Sequence, residues 1–600
     1  MTRPDGPPPA DLAAPEAVGD AAQPAEGNRP GVTSAGAAGL ATLMSAVLAA
    51  CGGGSDGSTA GSGTSSSGAG DGSGTSSPAP AQPASAAEAA RFLQQAQFSS
   101  TQAEIDSVRS LGYDAWLEAE MNRSSSTTGW DWLVSQGYNS ADSGVLYNGS
   151  YTDFMVWQQL MSAPDALRKR VALAWSEIMV VSADGIDGEN PSFAMAAYWD
   201  LLNQHAFGNY RQLLEAITLN PAMGAYLNTR GNQGENPKTG RLPDENYARE
   251  VMQLFTIGLY QLNADGTLKR GANGQPIETY GASDVSNLAR VFTGYNWDTT
   301  GHVKGTNPVK FRNPMAFTAA RHSTMDASFL GTTIAGNTPG AQALGTALDT
   351  LFNHANTAPF IAHQLIQRLV TSNPSSAYVG RVAAVFANNG SGVRGDLRAV
   401  TKAVLLDSEA REAPSLKSAT WGRLREPMLR LVQWARTFGA TSNDGKWIVW
   451  NKSDASTALG QSPLRSPSVF NFFRPGYVPP NTALATSSLT APEFQLANET
   501  SVAGYVNFMQ NAIAYGVYGS STSKVSVDTY TQEMALVNDP PALVDRLNLI
   551  LAAGQLSAAT AAAIRDAINS INPNSDWARK TRVWSAIVMV MCCPEYLVQK

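Results

Sequence analysis

Residues 164–181 read PDALRKRVALAWSEIMVV. Leu167, Val171, Trp175 and Ile178 recur at intervals of three and four, which places them on one stripe of a helix with 3.6 residues per turn. The same spacing repeats outward in both directions. Upstream, residues 153–161 and 114–121 carry it. Before them, Thr101 and Glu104 have the spacing of a capping box, with Ile105, Val108 and Leu111 following and Gly112 closing the helix. A first helix opens around residues 89–93. Downstream, helical patterns cover residues 192–205, 210–219, 283–292, 340–352, 358–370, 377–387, 396–406, 425–438, 541–553, 558–571 and 576–591. Pro541 suits a first helical position, where no backbone N–H is needed. One stretch breaks the pattern. Residues 260–280, YQLNADGTLKRGANGQPIETY, place two Gly-centred turns, Asp265-Gly266 and Asn273-Gly274, between short β-prone pieces, a small hairpin excursion. The expected fold is mainly α: one large multi-helix domain over residues 88–600 with that minor β element.

The N-terminal part differs in composition. Residues 36–50, GAAGLATLMSAVLAA, are apolar or small and lead to Cys51, followed by Gly52-Gly53-Gly54-Ser55. This resembles the lipobox of bacterial lipoproteins, in which the cysteine thiol receives a diacylglyceryl group. Several acyl chains anchor far more firmly than one. The apolar run is also too short for a lasting span, which needs about 20 residues. Residues 1–51 are therefore read as leader plus lipoprotein signal, although Asp5, Asp11, Glu16, Asp20 and Glu26 outnumber Arg3 and Arg29, making an atypical n-region. Residues 52–87 are almost purely Gly, Ser, Thr, Ala and Pro, which cannot bury a core and reads as a disordered tether. The expected location is the bacterial envelope, lipid-anchored at the periplasmic or outer-membrane face.

Of 600 residues, 43% are hydrophobic and 15% charged, with net charge −7. There is no long basic run, so nucleic acid is not an expected partner. Cys592 and Cys593 read as small apolar residues at the end of a buried helix. No zinc spacing, GxSxG, phosphate-binding loop or dinucleotide fingerprint occurs, and no cofactor or metal is named by the residues.

The most polar-loaded helix is ENYAREVMQLFTIGLY, residues 245–260. Glu245 and Arg249 share one face at i, i+4, and Asn246 with Glu250 forms a second pair. Val251, Leu254, Phe255 and Leu259 are expected on the buried side. Charges beside such a stripe suggest a partly buried network, read either as an internal ion-pair lock or as a ligand or catalytic site. Of five histidines, His322 and His354 lie in loop and helix-junction positions. Together with Glu245 or Glu250 they would suit acid–base or metal chemistry. Loops bearing Asp184, Asp187, Glu189 and Asp265 read as solvated turns rather than calcium sites. The aromatic-rich residues 463–480 read as a loop pinned into the core.

Six stretches line up with a known family. Arg91-Phe92-Leu93, residues 245–258, Asp284-Val285 through Gly294, Leu351-Phe352-Asn353-His354 to Arg368, Leu459-Gly460-Gln461 through Phe473, and Cys593-Pro594-Glu595-Tyr596 together resemble the bacterial family catalogued as domain of unknown function 1800. The resemblance implies export and no settled activity. It also implies a possible partner, since such genes often sit beside those for an exported sulfatase-like family. Asp284 is expected to join the network of Asn246 and Arg249. Where the family usually has His-Asp, this chain has His322-Ser323, with Asp326 four residues beyond His322. Three functions follow as expectations. The first is a binding or assembly lipoprotein acting with a sulfatase-like partner on surface polysaccharide or in export. The second is a hydrolase of a glycan or ester using Glu245, Glu250, His322 and His354. The third is a purely structural envelope protein.

Overall fold

The computed structural model describes residues 81–125, 127–412 and 418–600. Cys51, the leader and residues 52–80 of the expected tether lie outside the described residues. The first helix, Ala86–Ala96, begins two residues ahead of the expected boundary and is capped by the Ser85 hydroxyl. The Thr101–Glu104 capping box forms on Gln102–Leu111, and Gly112 (φ +83°) closes that helix. The described part is mainly α, with only two- and three-stranded antiparallel sheets.

The helix Pro191–His205 is the hub of the N-terminal half. Around it pack Gly129–Ser135, Tyr151–Ser162, Ala166–Ser176 and Tyr210–Thr218. Leu167, Val171, Trp175 and Ile178 are all buried, as the stripe requires. A second layer pairs Thr357–Leu369 with Ser376–Ala387 and Leu397–Leu406, and in a third Asp576–Cys592 packs against Glu499–Tyr515, Pro540–Ala552 and Ala558–Asn569. The two ends of the described chain meet. Arg423–Leu424 pairs with Val598–Gln599, and Arg425 Nη2 donates to Gln94 Oε1 at 2.7 Å. One continuous apolar core results, running from Ala89 to Tyr596.

The hairpin excursion forms as its turns dictate. Gly266 and Gly274 both take positive φ. Lys269 N–H donates to Gln261 O and Ile277 N–H to Lys269 O, so three short pieces lie side by side. Asn356 clamps its base: its amide donates to Ile257 O and Tyr260 O at 2.8 Å, and its Oδ1 accepts from Leu262 N–H at 2.9 Å.

The polar-loaded block departs from expectation. Only Asn246–Glu250 is α; Val251–Thr256 widens into a π turn. The Thr256 hydroxyl donates five residues back, to Val251 O at 2.6 Å, and the chain exits at Gly258. The widened turn shifts the register, so Val251 and Phe255 are buried while Leu259 is 48% exposed.

Six charges lie in the middle of the protein: Arg170, Arg368 and Arg423 with Glu177, Glu426 and Glu493, each at most 4% exposed. Arg423 Nη2 donates to Glu426 Oε1 at 2.5 Å and Nε to Glu493 Oε1 at 3.0 Å. Arg368 Nε lies 3.2 Å from Glu177 Oε2, and Gln461 donates to Glu426 Oε2 at 2.7 Å. Arg170 and Arg423 both donate to the Arg368 carbonyl. Burial, followed by the Glu426 charge, pushes Glu177 well above the usual carboxylate range. Burial opposes the charge of Glu426 too, but Arg423 and Arg170 outweigh it and hold that carboxyl low. Burial thus favours the proton on Glu177, and the arginines favour the charge on Glu426. Removing one partner from such a set leaves a buried charge unmatched.

Candidate functional site

A cleft of about 910 Å³ opens between Ala166–Ser176, Pro191–His205 and Tyr210–Thr218, closed on its other side by residues 311–314. Its size suits a drug-sized or oligomeric ligand. Asp200, from the hub helix, faces the start of Gly129–Ser135. Gly129 N–H donates to Asp200 Oδ1 at 2.7 Å and Trp130 N–H to Oδ2 at 3.0 Å. That approach needs glycine, because a Cβ on Gly129 would meet Met155 Sδ at 2.6 Å. Burial pushes the Asp200 carboxyl up to about 6, against the pull of the two N–H groups and of Lys169. Lys169 is buried and sits 3.3 Å from Asp165 Oδ2; burial also lowers its pKa. Burial thus raises the acid and lowers the amine, and both side chains line the cleft.

The walls are polar. Arg168 donates to the Asn203 and Met121 carbonyls, both at 3.2 Å, and its guanidinium lies 4.9 Å from the Phe207 ring centroid. Arg312 lies over Trp130 at 4.6 Å. Gln204 and Gln212 present exposed side chains at the rim. Amides with planar guanidiniums suit a ligand rich in hydroxyl or carboxyl groups.

The residues singled out from sequence fall elsewhere and have separate partners. The Glu245–Arg249 pair forms at 3.3 Å but is about half exposed at both ends, which corrects the expectation of a buried lock. Glu245 Oε1 also accepts from Ser286 Oγ at 2.5 Å. Asn246 donates its backbone N–H to Asp244 Oδ1 at 2.9 Å. Asp284 caps its own helix through Gly281 N–H at 2.8 Å and ties the 329–332 turn through Leu330 N–H at 2.9 Å, so it joins neither Asn246 nor Arg249. Glu250 keeps chemical interest: it is 7% exposed, its Oε2 has no hydrogen-bond partner among the described residues, and burial raises its pKa despite Arg249.

His322 Nδ1 lies 2.9 Å from Thr293 O and its ring packs edge-on against Phe317. It borders only a void of about 10 Å³, room for one water at most. Ser323, standing where the family usually has Asp, donates to Glu235 Oε2 at 2.6 Å, and Arg290 Nε binds the other oxygen at 2.7 Å. Asp326 accepts from Gly336 N–H at 2.9 Å. His354 Nδ1 accepts from Asn356 N–H at 3.1 Å, and burial, then Lys269 and Arg394, lowers its pKa, leaving a neutral ring in a helix junction. Among the described residues, no group of three His, Cys, Asp or Glu side chains is placed to hold a metal ion. In the loops read as solvated turns, Asp184 pairs with Arg465 at 2.5 Å, and Glu189 is met by His302 at 3.0 Å and by Lys310. Phe473 is buried under the Arg368 guanidinium, which pins the aromatic-rich loop.

The sequence reading missed both the cleft and the central charges. Asp165 and Lys169 at i, i+4 were visible, as were Arg170 and Glu177, two turns apart on either side of the apolar run Val171–Trp175. Charged residues that interrupt an apolar stripe were the available signal.

No curated protein and no solved structure matches the chain. A family model described as protein of unknown function (DUF1800) matches residues 91–598. That match takes in the hub helix, the cleft, the central charges and the closing strand, so the chain belongs to this family.

Proposed function

We propose that the protein is an exported bacterial envelope lipoprotein, anchored through Cys51, that holds a segment of surface polysaccharide in the cleft and works with an exported sulfatase-like partner. The observation that carries this reading is the cleft itself, with Gln204, Gln212, Arg168 and Arg312 around its walls and rim. Sugar hydroxyls need paired donors and acceptors, which the amides and guanidiniums around the cleft supply between them. Among the described residues no helix is long and apolar enough to cross a membrane, and the anchor is assigned to the lipid on Cys51. The test has two arms. Cys51→Ser should move the protein from the membrane to the soluble fraction; retention at the membrane would remove the anchor. Arg312→Ala with Gln212→Ala should weaken binding of purified surface polysaccharide about tenfold or more without lowering the melting temperature; unchanged affinity would remove the cleft.

Asp200 and Lys169 favour a second reading, hydrolysis of a glycan or ester in the same cleft. There Asp200, titrating near 6, would give or take the proton. Of the four residues proposed from sequence for that chemistry, Glu250 alone combines burial with an unpartnered oxygen among the described residues. Under this reading Asp200→Asn binds polysaccharide but releases no reducing ends or acyl groups. Release unchanged from that of the native protein would exclude Asp200.

A further inference from the structure

Among the described residues, two buried arginines form no ion pair with an acid. Arg91, on Ala86–Ala96, and Arg411, at the end of the Ser408–Arg411 turn, are 3% and 2% exposed. Arg91 Nη2 donates to the Arg411 carbonyl at 2.6 Å. Arg91 Nε and Nη1, and all three guanidinium nitrogens of Arg411, have no well-aligned hydrogen-bond partner among the described residues, and the Tyr113 hydroxyl, the polar group nearest in effect to Arg411, only partly opposes its burial. The Arg411 guanidinium instead lies 5.2 Å from the Phe92 ring centroid and 5.7 Å from that of Tyr113. Glu88, one turn before Arg91, acts on it only electrostatically. Burial, followed by the Arg91 charge, drives Arg411 down to about 9. In the central cluster each guanidinium has a carboxylate nearby, whereas here two like charges share one dry space. Cation–π contacts offset only part of that desolvation.

We infer that Arg91 and Arg411 together hold one small inorganic oxyanion of the phosphate or sulfate class. A planar guanidinium presents paired N–H donors that match two oxygens of such an ion, and two guanidiniums match its double charge. A monocarboxylate would balance only one of them. Both side chains are almost wholly buried, so the expected occupant is a free ion and not a glycan or a lipid headgroup on its chain. The two residues are 320 apart in sequence, so the ion clamps the first described helix to the middle of the domain. This site is separate from the cleft and does not rest on the function proposed for it.

The test is equilibrium dialysis of the full-length protein against radiolabelled phosphate until exchange is complete, with Arg411→Met and Arg91→Gln alongside. Saturable binding of one ion per chain is expected, displaced by unlabelled sulfate and absent from either variant that folds. In thermal melts at matched ionic strength, phosphate should raise the native midpoint by about 2–3 °C over chloride at a hundredfold excess over Kd, and Arg411→Met should lose that rise. No saturable binding to the native protein would overturn the assignment. So would unchanged stoichiometry in a folded variant, or equal displacement by glycerol phosphate, which is too large for so buried a site.

Discussion

Residues 165–177 and residues 245–250 look alike as sequence, each setting acidic and basic side chains beside an apolar helical stripe. Their surroundings are opposite. Asp165, Lys169, Arg170 and Glu177 are sunk between helices, and their partners come from as far away as Arg368 and Glu426. Glu245 and Arg249 pair at 3.3 Å in solvent and touch little else. The helix bearing the first set is covered on several sides by the hub helix and the 357–369 layer. The second set opens a short helix that widens into a π turn and leads out to the hairpin. A charged motif therefore does not report its own energetic weight; the number of elements packed over it does.

Substitutions separate the two regions by size of effect. Arg423→Met should cost most, about 3–5 kcal/mol, because Glu426 and Glu493 lose their cation in a dry interior. Denaturant unfolding that shows a loss of less than about 1 kcal/mol would deny the cluster its role. Within the cluster, Glu426→Gln should cost roughly 2–3 kcal/mol and Glu177→Gln under about 1 kcal/mol, since the arginines favour the charge of Glu426 while burial favours the proton on Glu177. Equal losses at pH 7 would show that the proton is placed wrongly.

The cleft acid should give a pH dependence of intermediate size. Asp200 is raised in the folded protein, to about 6 from 3.8, so the unfolded chain gives up this proton first. Its contribution to stability is complete below about pH 4 and is lost as pH rises through 6, on the order of 3 kcal/mol. In Asp200→Asn that slope should vanish, leaving a fixed cost from one backbone N–H without its acceptor. A slope that survives the substitution belongs to another group. Smallest of all, Glu245→Ala should change stability by less than about 0.5 kcal/mol, as for an exposed i, i+4 pair. A loss several times larger would put a buried network back under residues 245–250.

What could be read from the sequence followed the range of the interaction. The Thr101–Glu104 box, the Gly112 stop and the Asp265-Gly266 and Asn273-Gly274 turns are set by residues within a few positions, and they formed as read. The Leu167–Ile178 stripe was legible because one helix repeats its own period. The exposed fate of Glu245 was not, because the π turn and Gly258 alter the register that an ideal 3.6-residue spacing assumes. The central charges join residues from Arg170 to Glu493, and no local pattern links them. Asp200 in the cleft depends on Gly129, seventy-one residues away, lacking a side chain. Ser323 bound to Glu235 belongs with these, since a lone His-Ser dipeptide does not name the acid it will meet.

The most direct measurement is amide hydrogen exchange of the full-length protein with and without fragments of surface polysaccharide. Added protection is expected in the cleft walls, at residues 125–131, 200–216 and 311–314, with little change at 245–250 or around His322. Protection centred on those latter segments, or none anywhere, would contradict a ligand site in the cleft.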